Sequence, residues 1–248
     1  MGAVTVITSG KGGVGKSTVT ANLGAALARR GRRVLVLDAD AGLRSLDAML
    51  GVTGELVYDL SDVVAGRCEP LQAVYACRNC AGLFVLPAPQ SEQDVVPPDT
   101  MRLLVPELAR YFDHVLIDSP AGLGRGFASA IAPAGRALVV CNTDPVCLRD
   151  AHKVRRYLMQ GGVRQIRLVV NRFSYASFQK TGAFGDLDEV IDAAGIQLIA
   201  VIPEELKLAS YAFRGTPLSV RCPATEAFGR LAARLEGDQV PLMAISRF

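Results

Sequence analysis

The chain has 248 residues, of which 50% are hydrophobic and 21% charged, a composition typical of a folded globular protein rather than a disordered one. The formal net charge of +3 is too small to indicate nucleic-acid binding by itself. No apolar run approaches the roughly 20 residues that cross a bilayer, and the first apolar strand starts almost at Met1. We therefore expect a cytoplasmic protein without a signal peptide.

Short apolar runs alternate with amphipathic segments along the whole chain. The pattern predicts strands at Val4–Thr8, Val34–Asp38, Leu83–Pro87, His114–Asp118, Ala137–Asn142, Ile166–Asn171 and Gln197–Ile202. It predicts helices at Lys16–Arg30, Ser45–Leu50, Leu71–Tyr75, Thr100–Phe112, Arg149–Gln160, Asp186–Ala194 and Ala224–Leu235. Because the strands are rich in Val, Ile and Leu throughout, the expected fold class is α/β, a doubly wound and mostly parallel sheet with helices on both faces.

No linker, repeat or low-complexity tract divides the chain. We expect one domain over residues 1–236, followed by a short C-terminal tail over residues 237–248.

A glycine-rich segment directly follows the first predicted strand. It reads Gly10-Lys11-Gly12-Gly13-Val14-Gly15-Lys16-Ser17-Thr18 and fits the phosphate-binding pattern G-x-x-x-x-G-K-[ST] between a strand and a helix. Its backbone N–H groups and the helix N-terminus are expected to surround phosphate oxygens. Lys16 is expected to neutralise the β- and γ-phosphates, and the Ser17 hydroxyl to ligate Mg²⁺. The alternative is a chance match in a glycine-rich turn.

Acidic residues stand where two of the predicted strands end. Asp38 ends the second strand, Asp40 follows it, and Asp118 ends the fourth strand. Open α/β sheets bind ligands at the carboxyl ends of their strands, so we expect Asp38 and Asp118 to serve Mg²⁺, which prefers carboxylate and water oxygens. Asp40, further out of the sheet, is the candidate that positions the attacking water. The alternatives are that Asp118 caps a helix and that Asp38 and Asp40 only form turns.

The six cysteines are expected to be mostly reduced thiols in a cytosolic chain. Cys77 and Cys80 form a C-x-x-C pair with Cys68 nearby, a spacing compatible with zinc or an iron–sulfur cluster. No second pair and no nearby histidine offers a fourth ligand. A single C-x-x-C therefore does not predict a metal site here, and metal binding stays the alternative.

Lys11 is a second lysine in the glycine-rich loop, which an ordinary phosphate loop does not require. A lysine directly after the first glycine resembles the deviant Walker A loop of the MinD/ParA family of P-loop ATPases, a group that also includes the nitrogenase iron protein. The resemblance implies that Lys11 reaches across a dimer interface to the nucleotide of the partner subunit, so an ATP-dependent homodimer is expected. On the loop alone, a solvated surface lysine is the alternative.

Further segments resemble the MinD members of this family, in the same order, along about the first 235 residues. They are Asp38–Asp47, Asp118–Gly122, Asn142 with Arg149-Asp150, Val169–Arg172, Ile202–Glu204 and Gly215–Pro217. The resemblance implies ATP and Mg²⁺ as cofactors, and hydrolysis that a partner stimulates in cell-division site selection. It also implies that Asn171 and Arg172 lie against the adenine, with Pro203 and Glu204 at its edge. The alternative for Asn171 is a strand-end cap or turn residue.

The same resemblance implies partner proteins of the MinC or MinE type, with the helix over Arg149–Met159 near their binding surface. MinD proteins usually end in a basic amphipathic helix that binds anionic lipid, and this tail departs from that pattern. The tail has one basic residue, Arg247, and its apolar residues follow a proline. These apolar residues are Leu242, Met243, Ile245 and Phe248. We expect any attachment to the inner face of the cell membrane to be weak.

Two other functional classes share this fold. A ParA-like partition ATPase would bind DNA through a basic face, and the candidate residues are Arg214, Arg221, Arg230 and Arg234. A solvated helix surface explains these arginines equally well. An iron–sulfur carrier would pair cysteines across a dimer axis, but no cysteine follows Asp118 until Cys141. We expect neither DNA nor a cluster as a partner.

Overall fold

The computed structural model describes residues 2–244 of the chain. Within them the strands are β1 (Ala3–Thr8), β2 (Val34–Asp38), β3 (Tyr75–Ala76), β4 (Leu83–Leu86), β5 (His114–Asp118), β6 (Arg136–Cys141), β7 (Gln165–Phe173) and β8 (Leu198–Pro203). The helices are α1 (Lys16–Arg29), α2 (Ser45–Met49), α3 (Leu60–Val64), α4 (Pro98–Leu108), α5 (Arg125–Ile131), α6 (Pro145–Gln160), α7 (Tyr175–Thr181), α8 (Leu187–Ala194), α9 (Leu206–Phe213) and α10 (Pro223–Leu235). Short 3-10 turns span Thr53–Glu55 and Pro70–Ala73.

The strands join one sheet in the order β3-β4-β2-β5-β1-β6-β7-β8. All the strand pairs of the described chain are parallel except that of β3, which runs antiparallel to β4 at one edge. The strands are apolar along their length because helices cover the sheet. The predicted fold class is confirmed.

Every predicted strand is present, and each of its ends lies within two residues of the predicted position. Most predicted helices are present too, with larger shifts at two of them. The helix expected at Arg149 begins at Pro145, because the Asp144 carboxylate accepts hydrogen bonds from the N–H groups of Val146 and Cys147. The helix expected over Thr100–Phe112 spans Pro98–Leu108.

The prediction of a helix over Leu71–Tyr75 is wrong. The segment forms a 3-10 turn and then β3, in which Tyr75 lies opposite Val85 of β4. The Tyr75 hydroxyl also accepts the N–H groups of Val57 and Tyr58 at 2.9 and 2.8 Å. A five-residue helix offers too few hydrogen bonds to outweigh these long-range contacts.

Helix α1 packs against the sheet through Gly24, where helix and strand approach closely. A Cβ at Gly24 would lie 2.9 Å from Leu83 Cδ1 and 3.1 Å from Val36 Cγ2. We expect Gly24→Val to lower the free energy of unfolding by about 1–3 kcal/mol through overpacking. Urea denaturation measures it. Gly229→Val in α10 is the matched control, because a Cβ there meets no heavy atom within 4 Å; equal losses at the two positions would contradict the packing argument.

The described part of the tail, residues 237–244, follows α10 without forming a helix or strand. Arg230 Nη1 donates to the Pro241 carbonyl at 3.0 Å, and Met243 packs against the core. The predicted tail residues Ile245, Arg247 and Phe248 lie outside the described residues. Among the helices described, none combines the length and the apolar character that spanning a membrane requires.

Candidate functional site

The glycine-rich loop connects β1 to α1 at the carboxyl edge of the sheet. Gly13 and Gly15 have φ angles of +76° and +94°, in the left-handed region that favours glycine. Lys16 is the first residue of α1 and is only 8% exposed. No side-chain cap occupies the first turn of α1 in the described chain, so its N–H groups are available to an anion.

Asn171, near the end of β7, supports the loop from below. Its Nδ2 donates to the Val14 carbonyl at 2.8 Å, and a Cβ on Gly15 would lie 2.4 Å from the same nitrogen. Asn171 is buried, and its Oδ1 has no hydrogen-bond partner among residues 2–244. One end of the amide therefore shapes the loop, while the other is left to accept a hydrogen bond from a ligand.

Asp118 ends β5 directly behind the loop and is fully buried. Its Oδ1 accepts a hydrogen bond from Thr20 Oγ1 at 3.0 Å, whereas its Oδ2 has no partner among the described residues. Burial raises the pKa of Asp118 to about 6, although the nearby Ser17 and Thr20 hydroxyls and the charge of Lys16 act in the opposite direction. The predicted neighbours Ser17, Lys16 and Asp118 thus come together.

Asp38 lies opposite Asp118 in the register of β2 and β5. Its Oδ1 accepts the N–H of Asp40 at 3.0 Å, and its Oδ2 accepts the N–H of Leu46 at 3.3 Å. Burial, and then the charge of Asp118, raise the pKa of Asp38 to about 8. Asp38 therefore holds the segment between β2 and α2 in place, a role that the strand-end pattern did not predict.

The residues behind the loop fit a divalent cation. The buried Asp118 Oδ2 is unpaired among residues 2–244, and the Ser17 hydroxyl accepts a hydrogen bond from Ser45 Oγ at 3.2 Å on the neighbouring segment. Hydroxyl and carboxylate oxygens are the donors that Mg²⁺ takes in phosphate-loop proteins. Two buried carboxyls with raised pKa values are also the groups that a nearby cation would keep ionised.

Asp40 lies outside β2, half-buried at the mouth of the site. Burial raises the pKa of Asp40, the charge of Lys16 lowers it, and the charge of Glu92 raises it. Glu92 lies against this segment, since a Cβ on Gly42 would meet Glu92 Cγ at 2.4 Å. Glu92 belongs to a loop that carries no motif, so nothing in the sequence placed it at the site.

Lys11 extends from the loop towards α6. Its Nζ lies 3.5 Å from Asp144 Oδ2, and both side chains are about two-fifths exposed. Asp144 also caps α6 through the N–H groups of Val146 and Cys147, and these hydrogen bonds, with Lys11, lower its pKa. Within the single chain, Lys11 therefore points to an acid of its own subunit, a contact that sequence reasoning missed.

The predicted adenine-binding residues line one cavity of about 210 Å³ beside α1. Its walls come from the loop end, from β7 and β8 and from α9, and include Thr18, Asn171, Arg172, Pro203, Glu204, Leu206 and Leu208. Arg172 has a φ of +53°, an unusual value for a residue other than glycine. Three segments distant in the sequence thus converge on one cleft, and α9, absent from the predicted helices, forms one of its walls.

Three of the four arginines proposed for DNA binding contact different partners in the structure. Arg230 pairs with Glu226 at 2.9 Å, Arg234 donates to the Ile199 carbonyl at 2.8 Å, and the Arg214 guanidinium lies 5.9 Å from the Tyr211 ring centroid.

Cys77 and Cys80, the C-x-x-C pair of the sequence, are buried. Among residues 2–244 there is no group of three or more His, Cys, Asp or Glu side chains that could hold a metal ion.

Comparison with known proteins shows the family of the chain. A family model described as ParA, NUBPL iron-transfer P-loop NTPase, matches residues 1–236. The septum site-determining protein MinD of Thermotoga maritima is 40% identical over 247 residues, which cover 98% of this chain and 91% of that protein.

Solved structures of similar proteins superpose over nearly the whole chain. MinD in a MinC:MinD cell division protein complex from Aquifex aeolicus is 39% identical, with a TM-score of 0.89 and 98% of each chain covered. The septum site-determining protein MinD of Pyrococcus horikoshii, complexed with Mg-ADP, is 30% identical, with a TM-score of 0.85 and coverages of 96% and 97%. Sequence and structure are thus similar to these proteins over nearly the whole chain, and the chain belongs to the MinD/ParA family of P-loop ATPases.

Proposed function

We propose that this chain is an ATP-binding and ATP-hydrolysing switch of the MinD type, which dimerises with ATP and acts in cell-division site selection. The observation that carries the proposal is the loop with two lysines, set beside Asp38, Asp40 and Asp118. The 40% identity to a septum site-determining protein supports the cellular role. We assign residues 1–236 to the ATPase domain and residues 237–248 to a tail.

In this proposal the loop binds the phosphates and the cavity binds the base. The N–H groups over Gly10, Gly12, Gly13, Val14, Gly15 and Thr18 surround the phosphate oxygens, and Lys16 neutralises their charge. Asn171 Oδ1 accepts a hydrogen bond from the adenine amino group, with Arg172, Pro203 and Glu204 around the ring. Bound Mg²⁺ would neutralise phosphate charge, held by Ser17 and Asp118 and oriented by Asp38. The Mg-ADP found with the Pyrococcus protein supports both ligands.

Asp40 positions the attacking water. Its carboxyl is half-buried at the mouth of the site, and its own N–H is held by Asp38 at 3.0 Å. Hydrolysis of a phosphoanhydride needs mainly positioning and charge neutralisation, so a strong base is not required.

We expect Asp40→Ala to bind ATP and form a stable dimer while hydrolysis falls by about 100-fold or more. The nucleotide contacts remain, but the water is no longer held. Size-exclusion chromatography with ATP, together with phosphate release, measures both properties. Asp94→Ala, a change at an exposed aspartate, is the matched control. A persistent monomer, or hydrolysis at the parent rate, would remove Asp40 from this role.

A partner of the MinC type is proposed because the Aquifex protein was solved in a MinC:MinD complex. An activating partner of the MinE type is proposed on family resemblance. The exposed apolar side chains of Val146 and Tyr157, about three turns apart on one face of α6, support this helix as part of the docking surface.

Vesicle sedimentation separates the functional classes. The protein is mixed with phosphatidylglycerol-containing vesicles in the presence of ATP, ADP or no nucleotide, and its DNA binding is measured at several salt concentrations. We expect ATP-dependent and weak membrane binding, because the tail has one cation, and no DNA binding. Steeply salt-dependent DNA binding by the ATP form would instead indicate a partition ATPase.

A further inference from the structure

The opposite edge of the sheet carries a second charged cavity, far from the glycine-rich loop. It has a volume of about 270 Å³ and lies at the amino ends of β6, β7 and β8, against the end of α10. Three arginines line it: Arg136 begins β6, Arg167 lies in β7, and Arg234 lies in the last turn of α10.

Each of these guanidinium groups is oriented by a carbonyl and left without an acid. Arg136 Nη1 donates to Leu235 O at 3.1 Å, Arg234 Nη1 donates to Ile199 O at 2.8 Å, and Arg167 Nη1 donates to the carbonyl of its own neighbour, Ile166. Among residues 2–244, none of the three has a carboxylate within 4 Å. Because a guanidinium carries five N–H donors, most of the donors remain available.

The acidic groups nearby are already neutralised. Glu236 lies in the cavity wall, but its carboxylate pairs with Arg30 at 2.5 Å and with Arg32, and His114 Nε2 lies 3.6 Å away. Asp238 pairs with Arg30 at 2.7 Å. The C-terminal end of α10 adds about half a negative charge, which the Arg136 bond to Leu235 O partly offsets. The balance at the cavity is positive.

The positive surface continues beyond the cavity. Arg167 and Arg234 also line an adjoining cleft whose other wall is the tail, Asp238 to Pro241. On the other side, Arg167 shares a third cavity with Arg155 and Arg164, neither of which has an acidic partner in the described chain. The arginines thus form a band along the edge from which the tail departs.

We propose that the cavity of Arg136, Arg167 and Arg234 binds a phosphate group. Converging guanidinium forks match the several oxygens of a tetrahedral phosphate better than a single ammonium would, and each fork is oriented before binding. The phosphate comes either from a small soluble molecule or from a lipid headgroup at a membrane surface. The site is independent of the nucleotide site and of the function proposed above.

Calorimetry with inorganic phosphate tests the site on the full chain. The protein is saturated with Mg²⁺ and ADP so that the glycine-rich loop is occupied, and chloride keeps the ionic strength constant. We expect Arg167→Gln to weaken phosphate binding about tenfold or more, since it removes charged hydrogen bonds. The parent affinity is expected in Arg221→Gln, which removes the same charge from an exposed position at the other end of α10.

A second arm identifies the source of the phosphate. The same variants are sedimented with vesicles of phosphatidylcholine alone or with added phosphatidylglycerol. If the parent and Arg221→Gln bind the anionic vesicles and Arg167→Gln does not, the phosphate is that of a lipid headgroup. If Arg167→Gln weakens the binding of inorganic phosphate but does not change vesicle binding, the ligand is a small soluble molecule. Arg167 is the first position tested because its side chain is exposed and, within residues 2–244, bonds only to the adjacent carbonyl, so we expect folding to be unaffected. If neither probe binds, or if both variants behave alike, the proposal is overturned.

Discussion

Lys16→Ala abolishes ATP binding: this is the largest effect that we expect of any single substitution. Lys16 is 8% exposed at the start of α1, and it is the cation nearest to the phosphates in the proposed complex. Removing one partner of a buried charge pair costs about 3–5 kcal/mol, which corresponds to roughly a 10²- to 10⁴-fold higher Kd. Calorimetry with ATP and Mg²⁺ measures the loss.

The matched control for Lys16→Ala is Lys180→Ala, which removes an exposed lysine in the last turn of α7. Circular dichroism confirms that both variants are folded. An unchanged ATP affinity in folded Lys16→Ala would contradict the phosphate-loop assignment.

The second large effect concerns Lys11. We expect Lys11→Ala to keep most of the ATP affinity of the monomer, because Lys16 and the loop N–H groups remain. Dimerisation and hydrolysis should fail together, hydrolysis by about 10³-fold, the effect of a cation supplied in trans to a phosphoryl-transfer site. Chromatography with ATP and phosphate release measure the two properties. Lys180→Ala, which removes an exposed lysine in the last turn of α7, is the control.

The structure adds one requirement to this prediction. In the single chain Lys11 Nζ lies 3.5 Å from Asp144 Oδ2, so the ion pair must open before the lysine reaches a partner subunit. An exposed pair of this kind contributes only about 0–1 kcal/mol, which a bound nucleotide outweighs. The contact is therefore compatible with a lysine that acts in trans.

Mixing two inactive variants shows whether Lys11 acts in trans. In a dimer of Lys11→Ala with Asp40→Ala, a lysine that acts in trans produces two different composite sites. One site has both Lys11 and Asp40, and the other site has neither. We then expect recovery of up to half of the activity. A lysine acting in cis leaves no intact site, so the mixture stays inactive. Hydrolysis at the parent rate by Lys11→Ala alone would reduce the lysine to a solvated side chain.

The sheet and the loop could be predicted because their signals are local. Buried parallel strands are continuous apolar runs, and a phosphate loop needs its glycines and lysine at fixed spacing. The fold class and the meeting of Lys16, Ser17 and Asp118 follow from those two patterns. Family resemblance predicted in addition that Asn171 and Pro203 lie at the adenine, because spacing alone does not connect these residues to a nucleotide.

The rest depended on contacts between distant segments. Helix α3 begins with a capping box of Asp59 and Asp62, an acidic variant that a search for Ser or Thr followed by Glu passes over. Strand β3 has two residues and exists only because β4 lies beside it. The hydrogen bond between Thr20 and Asp118 joins residues 98 positions apart, and so no window along the chain contains both.

The central place of β1 has a consequence for the order in which the protein assembles. This strand precedes the other strands of the sheet along the chain, yet its neighbours in the sheet are β5 and β6, which end at Asp118 and Cys141. A nascent chain that stops before His114 contains neither of the two strands that pair with β1, and the Asn171 amide that supports Val14 comes later still. Closing such long loops is slow and entropically costly. The glycine-rich loop is thus synthesised well before the strands and the amide that support it.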